Sequence, residues 1–289
     1  MARNDAAASP APSAWLIVVL AMLNAVAPPF SIDMYLSAFP PEMAADFGTS
    51  APMIQLTLTT FLIGLASGQL VIGSLSDRYG RRRPLIIGTS ACLAVSVLCA
   101  LAPSIELLIV LRFAQGFCGA AGVVIARAVI ADRTSGSGAA RLFAVMMLIS
   151  VLAPITAPVL GGVVVTGLGW RAVFAVLAAM NMLMLLGVLL AVGESLPEHR
   201  RRPGGLKALG ASTRSVLANR HYIGYTLCMA FTAAAMFAYI AASPFVLQNI
   251  LGFSPTMYSL IYGACALAVG GAAVSSPPAS CGASRRAGC

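Results

Sequence analysis

The sequence predicts an all-α protein that crosses a membrane several times, and three observations lead there. Of the 289 residues, 59% are hydrophobic and 9% charged, with a mean hydropathy of +0.90. That leaves too little polar surface to wet a soluble domain. The apolar residues fall into runs long enough for a helix of roughly 20 residues to cross a bilayer. Lys and Arg are confined largely to alternate short segments between those runs, as in loops that stay on the cytoplasmic side. The formal charge of +9 therefore reads as topology rather than as a nucleic-acid surface.

Residues 1–14 form a polar tail with Arg3 and Asp5. It is too weakly basic, and the following run too long, for an ordinary cleaved signal peptide. The first span runs from Trp15 to about Leu36, and Pro28-Pro29 must kink or interrupt it, since neither donates a backbone hydrogen bond. Asp33 lies about 27 Å of helix beyond Trp15. Two placements satisfy the sequence: inside the span, where ionisation is costly and protonation answers to the surroundings, or capping its end in water.

Residues 37–52 lack Lys and Arg and are expected outside. Met53–Leu75 is the second span, with Gly64 and Gly68 as a small-residue surface for close helix contact. The stretch Gly73-Ser74-Leu75-Ser76-Asp77-Arg78-Tyr79-Gly80-Arg81-Arg82-Arg83 follows as a tight turn on the inner surface. Pro84–Ala102 is the third span and about Ile105–Ala131 the fourth, which carries Arg112, Gln115 and Arg127. Residues 132–138 are expected to be a flexible inside loop. A fifth span from Arg141 to about Val165 contains Pro154 and Pro158 and ends in Gly161-Gly162; a sixth runs from Arg171 to Val192.

From Gly193 to Arg220 the chain is polar and basic, with a Pro203-Gly204-Gly205 break, and reads as a linker. A seventh span covers about Tyr222–Leu247 and an eighth begins near Thr256. The expected organisation is a cytoplasmic tail (1–14), a six-helix bundle (15–192), a cytoplasmic central loop (193–220), the start of a second bundle (221–274) and an aberrant tail (275–289). That tail has no periodicity and looks like a shifted reading frame in GC-rich DNA; coding DNA that yields no further apolar spans one base over would disprove this.

An N-terminus inside places Arg3, the arginines at 78 and 81–83, Arg133, Arg141, the basic residues from 200 to 220 and Arg285-Arg286 on one side. Arg171 alone stands at the edge of an outside segment. Arg112 sits too deep to escape easily, at roughly 2.5–3.5 kcal/mol on insertion scales, and a cation kept at that cost faces a cavity, a carboxylate or a structural tether. Arg127 can snorkel to the inner surface. Gln55, Thr59, Gln69, Tyr239 and Gln248 either line a pathway or bond neighbouring helices. The cysteines within apolar runs are expected as free thiols, His199 and His221 as loop residues, and no metal site is expected. No catalytic constellation and no phosphate loop with Lys is present, so neither an enzyme nor an ATP-driven pump is expected within the chain.

The turn at 73–83 resembles the loop between helices 2 and 3 of the major facilitator superfamily of transporters. Ile32-Asp33-Met34-Tyr35-Leu36 with Phe39-Pro40 resembles the first helix of its bicyclomycin/chloramphenicol-resistance (Bcr/CflA) branch of proton-coupled drug exporters. Arg112-x-x-Gln115-Gly116 is similar to the superfamily's fourth-helix motif. Ala157-Pro158-Val159-Leu160-Gly161-Gly162 resembles the fifth-helix antiporter motif, with Ala157 where the general pattern has Gly. Trp170-Arg171-x-x-Phe174, Glu194-Ser195-Leu196-Pro197 and Ser243-Pro244-Phe245-Val246-Leu247-Gln248 resemble the branch around its sixth and seventh helices. The likeness covers about residues 15–272.

Members of that family have twelve spans in two six-helix halves, so the resemblance implies a complete first bundle, built of two inverted three-helix repeats, about two helices of the second, and a C-terminal truncation. It implies efflux of small amphipathic drugs in exchange for protons from a bacterial inner membrane, powered by the proton gradient without a cofactor. The expected partners are drug, proton and lipid bilayer, and the expected assembly a monomer. Proton coupling would fall to Asp33, Arg112 and Gln115, with Asp33 holding Arg112 or a cationic drug. A conformational latch would comprise Gly73, Asp77, Arg78, Gly80, Arg81, Arg82, Arg127, Asp132 and Glu194. The antiporter motif, Pro154, Pro158, Gly161 and Gly162, would let the fifth helix bend and seal against the second half. Alternatives are an inactive remnant and a metabolite/proton symporter of the same fold.

Overall fold

The computed structural model describes residues 14–36, 41–134, 136–201, 210, 218–254, 256–258, 260–265 and 268. Residues 1–13 of the expected tail at 1–14, the expected tail at 275–289, and most of the central loop lie outside these residues; Ala14 already belongs to the first helix.

Two adjacent prolines open the architecture. Helix α1 (Ala14–Ala25) continues not as an α-helix but as a π-helical segment, Val26–Met34, with Pro29 inside it. A proline supplies no amide hydrogen, so the regular ladder fails locally and the chain rewinds more widely. That rewinding carries Ser31, Ile32 and Asp33 into the protein interior. The segment expected outside is not wholly loop: Pro41–Phe47 forms a short helix, α2.

The next helices are α3 (Ala51–Tyr79), α4 (Arg82–Ala100), α5 (Ile105–Arg133), α6 (Gly136–Leu168) and α7 (Trp170–Ala191). Gly80, at φ +89°, ends α3 in a conformation that side chains resist. Ser104 caps α5 by accepting the Leu107 N–H at 3.4 Å. Residues 136–138 belong to α6 rather than to the flexible loop expected from their glycines and serine. With α1 and its π continuation, α3–α7 form the first bundle. Beyond it come α8 (Arg220–Pro244), a π-helical segment Phe245–Ile250, and helix over 256–258 and 260–265.

Among the described residues, five helices are long and apolar enough to cross a membrane: Ala51–Tyr79, Arg82–Ala100, Ile105–Arg133, Trp170–Ala191 and Tyr222–Gln248. Large apolar side chains point outward from them, including Ile87, Leu183 and Leu190. A soluble protein rarely gathers such a surface; in hydrocarbon it carries no penalty. The described cysteines, Cys92, Cys99, Cys118, Cys228 and Cys265, are free thiols.

The tightest crossing joins α3 to α5. A Cβ on Gly64 would strike the Phe113 carbonyl, and one on Gly116 the Phe61 carbonyl. The two backbones touch because both positions lack a side chain. Gly64→Leu is therefore expected to destabilise the bundle by about 1–3 kcal/mol, the usual range for overpacking, read as a lower melting temperature in detergent. An unchanged melting temperature would contradict this crossing.

Candidate functional site

Arg112, on α5, has no accessible surface. Its Nη1 donates to Gln115 Oε1 at 2.7 Å and its Nη2 to the Ser31 carbonyl at 3.0 Å, in the rewound segment of the first helix. The rings of Tyr35 and Phe61 lie 4.3 and 4.4 Å from the guanidinium carbon, and Phe174 is 5.7 Å away. A buried cation is thus stabilised by two hydrogen bonds and by aromatic faces. Among the described residues its Nε has no hydrogen-bond partner and no carboxylate pairs with it. The expected hold of Asp33 on Arg112 is thus corrected. Arg112 grips the backbone two residues before Asp33, because a carbonyl in the rewound turn lies within its reach.

Asp33 itself is 4% exposed, which rules out the wetted-end placement. Its Oδ1 accepts the Tyr262 hydroxyl at 3.1 Å. Gly161, from the antiporter motif on α6, packs on Met34, where a Cβ would strike the carbonyl oxygen. Its described close contact is thus with the first helix rather than the second half. Pro158 and Gly162 are also buried on α6, and Pro154 is half-buried.

Gln115 extends the network. Its Nε2 donates to Ser96 Oγ at 2.8 Å, Ser96 donates to the Cys92 carbonyl at 2.8 Å, and Asn181 Nδ2 donates to Ser96 at 3.3 Å and to the Leu177 carbonyl at 2.9 Å. This chain links α5, α4 and α7 with each hydroxyl and amide oriented by its neighbour. Beside it the Thr57 hydroxyl donates to the Ile54 carbonyl at 2.5 Å and is 2.6 Å from Tyr35 Oη. Ser96, Asn181 and Tyr262 belong to none of the motifs in the sequence; the available signal was a polar side chain inside an apolar run, which demands a partner.

The turn between α3 and α4 gathers most of the residues expected in the latch. Arg81, 8% exposed, donates from Nη1 to Asp77 at 2.6 Å and to Ser76 at 2.7 Å, and from Nε to Asp132 at 3.0 Å. Burial works against its charge, but the bonds to Asp132 and Asp77 outweigh that and hold its proton more firmly than usual. Glu194 accepts the backbone N–H of Arg81 at 2.8 Å, Arg82 at 3.3 Å, and Ser195 and Leu196 at 3.0 Å each. A Cβ at Gly80 would collide with the Glu194 carboxylate. Gly73 faces Val124 on α5, Arg78 lies over the Tyr79 ring at 5.1 Å, and Arg127 is exposed on the helix that carries Asp132. Ser195 joins the cluster through Asp132 at 3.2 Å. At the opposite end Asp46 accepts from Arg171 and from Trp170 Nε1, the latter at 3.1 Å. The Arg171 bond comes first among the causes that hold the Asp46 carboxyl below its ordinary range.

A sequence model of the Major Facilitator Superfamily matches residues 13–280. The chain belongs to the Major Facilitator Superfamily. It is 38% identical over 258 residues to the uncharacterized MFS-type transporter YdgK of Bacillus subtilis (strain 168), covering 89% of this chain and 63% of that protein. It is 30% identical to a bicyclomycin resistance protein homolog of Haemophilus influenzae (83% and 60%) and 28% identical to the multidrug resistance protein MdtL of Salmonella heidelberg (80% and 58%). The chain thus spans about three-fifths of these relatives' length. Its fold matches a bacterial homolog of the human lysosomal transporter Spinster, solved inward-facing and unoccupied, with a TM-score of 0.69 at 21% identity over 90% of this chain and 61% of that one. A D-xylose–proton symporter matches with a TM-score of 0.58 at 17% identity, over 88% and 65%. This superfamily member is a multi-pass membrane protein with a first six-helix bundle and the beginning of a second.

Burial pushes the Glu194 carboxyl upward, but the N–H groups of Leu196, Arg81, Arg82 and Ser195 outweigh it and hold it below its ordinary 4.5. A carboxylate depressed in the folded state adds stability that is complete above its unfolded value and lost as pH falls through the folded one. Glu194→Gln should therefore cost roughly 1 kcal/mol near neutrality, after discounting for its exposure. The difference should vanish in acid below pH 4.5, as read from melting temperature against pH. A variant with wild-type stability at neutral pH would contradict it.

Proposed function

We propose that the protein works as a proton-driven exporter of small amphipathic drugs in a bacterial inner membrane, with its N-terminus in the cytoplasm and the proton gradient as its energy source. The observation that carries this reading is the nearly complete burial of Asp33, one carboxyl group inside an apolar, proline-rewound span. An acid held there at such cost is a functional group before it is a structural one. The relatives named for bicyclomycin and multidrug resistance support drugs as the cargo.

In the proposed cycle the protein alternates between inward-open and outward-open forms. Drug and proton each bias that equilibrium only through their different affinities for the two forms. Asp33 takes a proton from outside, becomes neutral, and favours the return inward. Arg112 and Gln115 act by fixing the backbone that carries Asp33, through the Ser31 carbonyl, rather than by pairing with its carboxylate. The inner cluster of Asp77, Arg81, Asp132 and Glu194 ties the α3–α4 turn to α5 and to the segment after α7, and would serve as the latch that closes and releases during the cycle. Gly161, seated on Met34, would let α6 slide against the first helix.

Asp33→Asn in the full-length protein should abolish drug-driven proton movement in reconstituted vesicles while leaving the protein folded. Undiminished exchange would refute the assignment.

A further inference from the structure

We propose that Tyr262 is the positioning residue through which the second bundle senses the charge on Asp33. This rests on the reading of Asp33 as the proton-carrying group. The two residues are 229 positions apart, yet the Tyr262 hydroxyl donates to Asp33 Oδ1 at 3.1 Å with both side chains buried. Behind it, the Tyr258 ring lies 5.8 Å from that of Tyr262, and the Tyr258 hydroxyl is 3.4 Å from Ser243 Oγ on α8. Ser243 also donates to the Ile240 carbonyl at 3.1 Å. Ser243, Tyr258 and Tyr262 thus form a buried line from α8 to the first helix. Much of α8 is otherwise bare: Tyr225, Met229 and Phe231 are exposed.

The chemistry of the contact makes its strength depend on a proton. A phenol donating to a carboxylate forms a charge-assisted bond, roughly twice as strong as its neutral counterpart. Once Asp33 takes up a proton the bond becomes an ordinary neutral one, and the second bundle is held less firmly to the first. The ionisable groups facing Asp33 are few among the described residues. Arg112 on α5 is committed to Ser31 and Gln115, Tyr35 on its own helix to Thr57, and Tyr258 and Tyr262 come from the second bundle. From α6, Gly161 packs on Met34, the residue after Asp33, and on α7 Arg171 is engaged by Asp46. Tyr262 alone among these donates to the carboxyl group itself.

The test is the distance between spin labels on the exposed faces of α4 and α8, at Ile87 and Tyr225, in the full chain in lipid nanodiscs from mildly acidic to mildly alkaline buffer. The unaltered chain should shift its distance distribution reversibly with pH. Tyr262→Phe, which removes only the hydroxyl, should lose that shift, as should Asp33→Asn, and the double variant should add nothing. Tyr258→Phe, which keeps the supporting ring, should retain it. A shift that survives in Tyr262→Phe, or is lost in Tyr258→Phe as well, or is absent from the unaltered chain, would overturn the proposal. The readout needs no drug, so a chain that shows the shift yet exports nothing would count against the export reading alone.

Discussion

A guanidinium shut away from water, with no described carboxylate beside it, sets the terms for the first bundle. The desolvation of Arg112 is worth several kcal/mol against folding unless its donors and faces are occupied. Gln115 and the Ser31 carbonyl take two of its nitrogens, and Tyr35, Phe61 and Phe174 supply the faces from the first helix, α3 and α7. These partners must converge on one point, so the α3–α5 crossing, the winding of the first helix and the seat of α7 cannot be chosen independently. The Gly64 and Gly116 contacts supply the closeness that this convergence requires.

Asp33 is buried as a consequence of the same constraint. Pro28 and Pro29 spoil the regular ladder, the segment rewinds, and Arg112 pins that segment by its backbone rather than by the acid two residues on. The acid side chain is left to answer to the second bundle. At one end of the bundle, Arg81 and Glu194 join three parts of the chain by charge and by backbone N–H groups, while at the opposite end Arg171 and Trp170 hold Asp46. The Arg171–Asp46 pair is exposed and screened, so it contributes less than the half-buried Arg81 cluster.

The apolar runs, the confinement of Arg and Lys to alternate segments, and the proline break in the first helix were legible because each follows from local composition. The turn between α3 and α4 was legible too, since the order of Asp77, Gly80 and Arg81 carries both a backbone requirement and a charge pattern. What the sequence hid were contacts made through the backbone. Arg112 suggested a cavity, a carboxylate or a structural tether, and it found a carbonyl, which every residue has. Glu194 suggested a charge partner for arginines, yet it mainly gathers amide hydrogens. Ser96 and Asn181 are single polar residues in different helices, and only the packing of α4 against α5 and α7 reveals that they share one chain of hydrogen bonds. Helix α2 was read as loop because Pro40, Pro41, Glu42 and Asp46 stand there without Lys or Arg, and the first turn of α6 because it is glycine and serine, although tertiary context overrides such preferences.

The most direct measurement of the central claim is a dipolar-coupling distance by solid-state NMR in lipid, between the carbonyl carbon of Ser31 and the labelled Nη atoms of Arg112. Direct contact is expected, in keeping with the 3.0 Å separation of Nη2 from the carbonyl oxygen, with no comparable coupling to the Asp33 carboxyl carbon. Strong coupling to Asp33 and none to Ser31 would contradict it, and would return the cation to the acid.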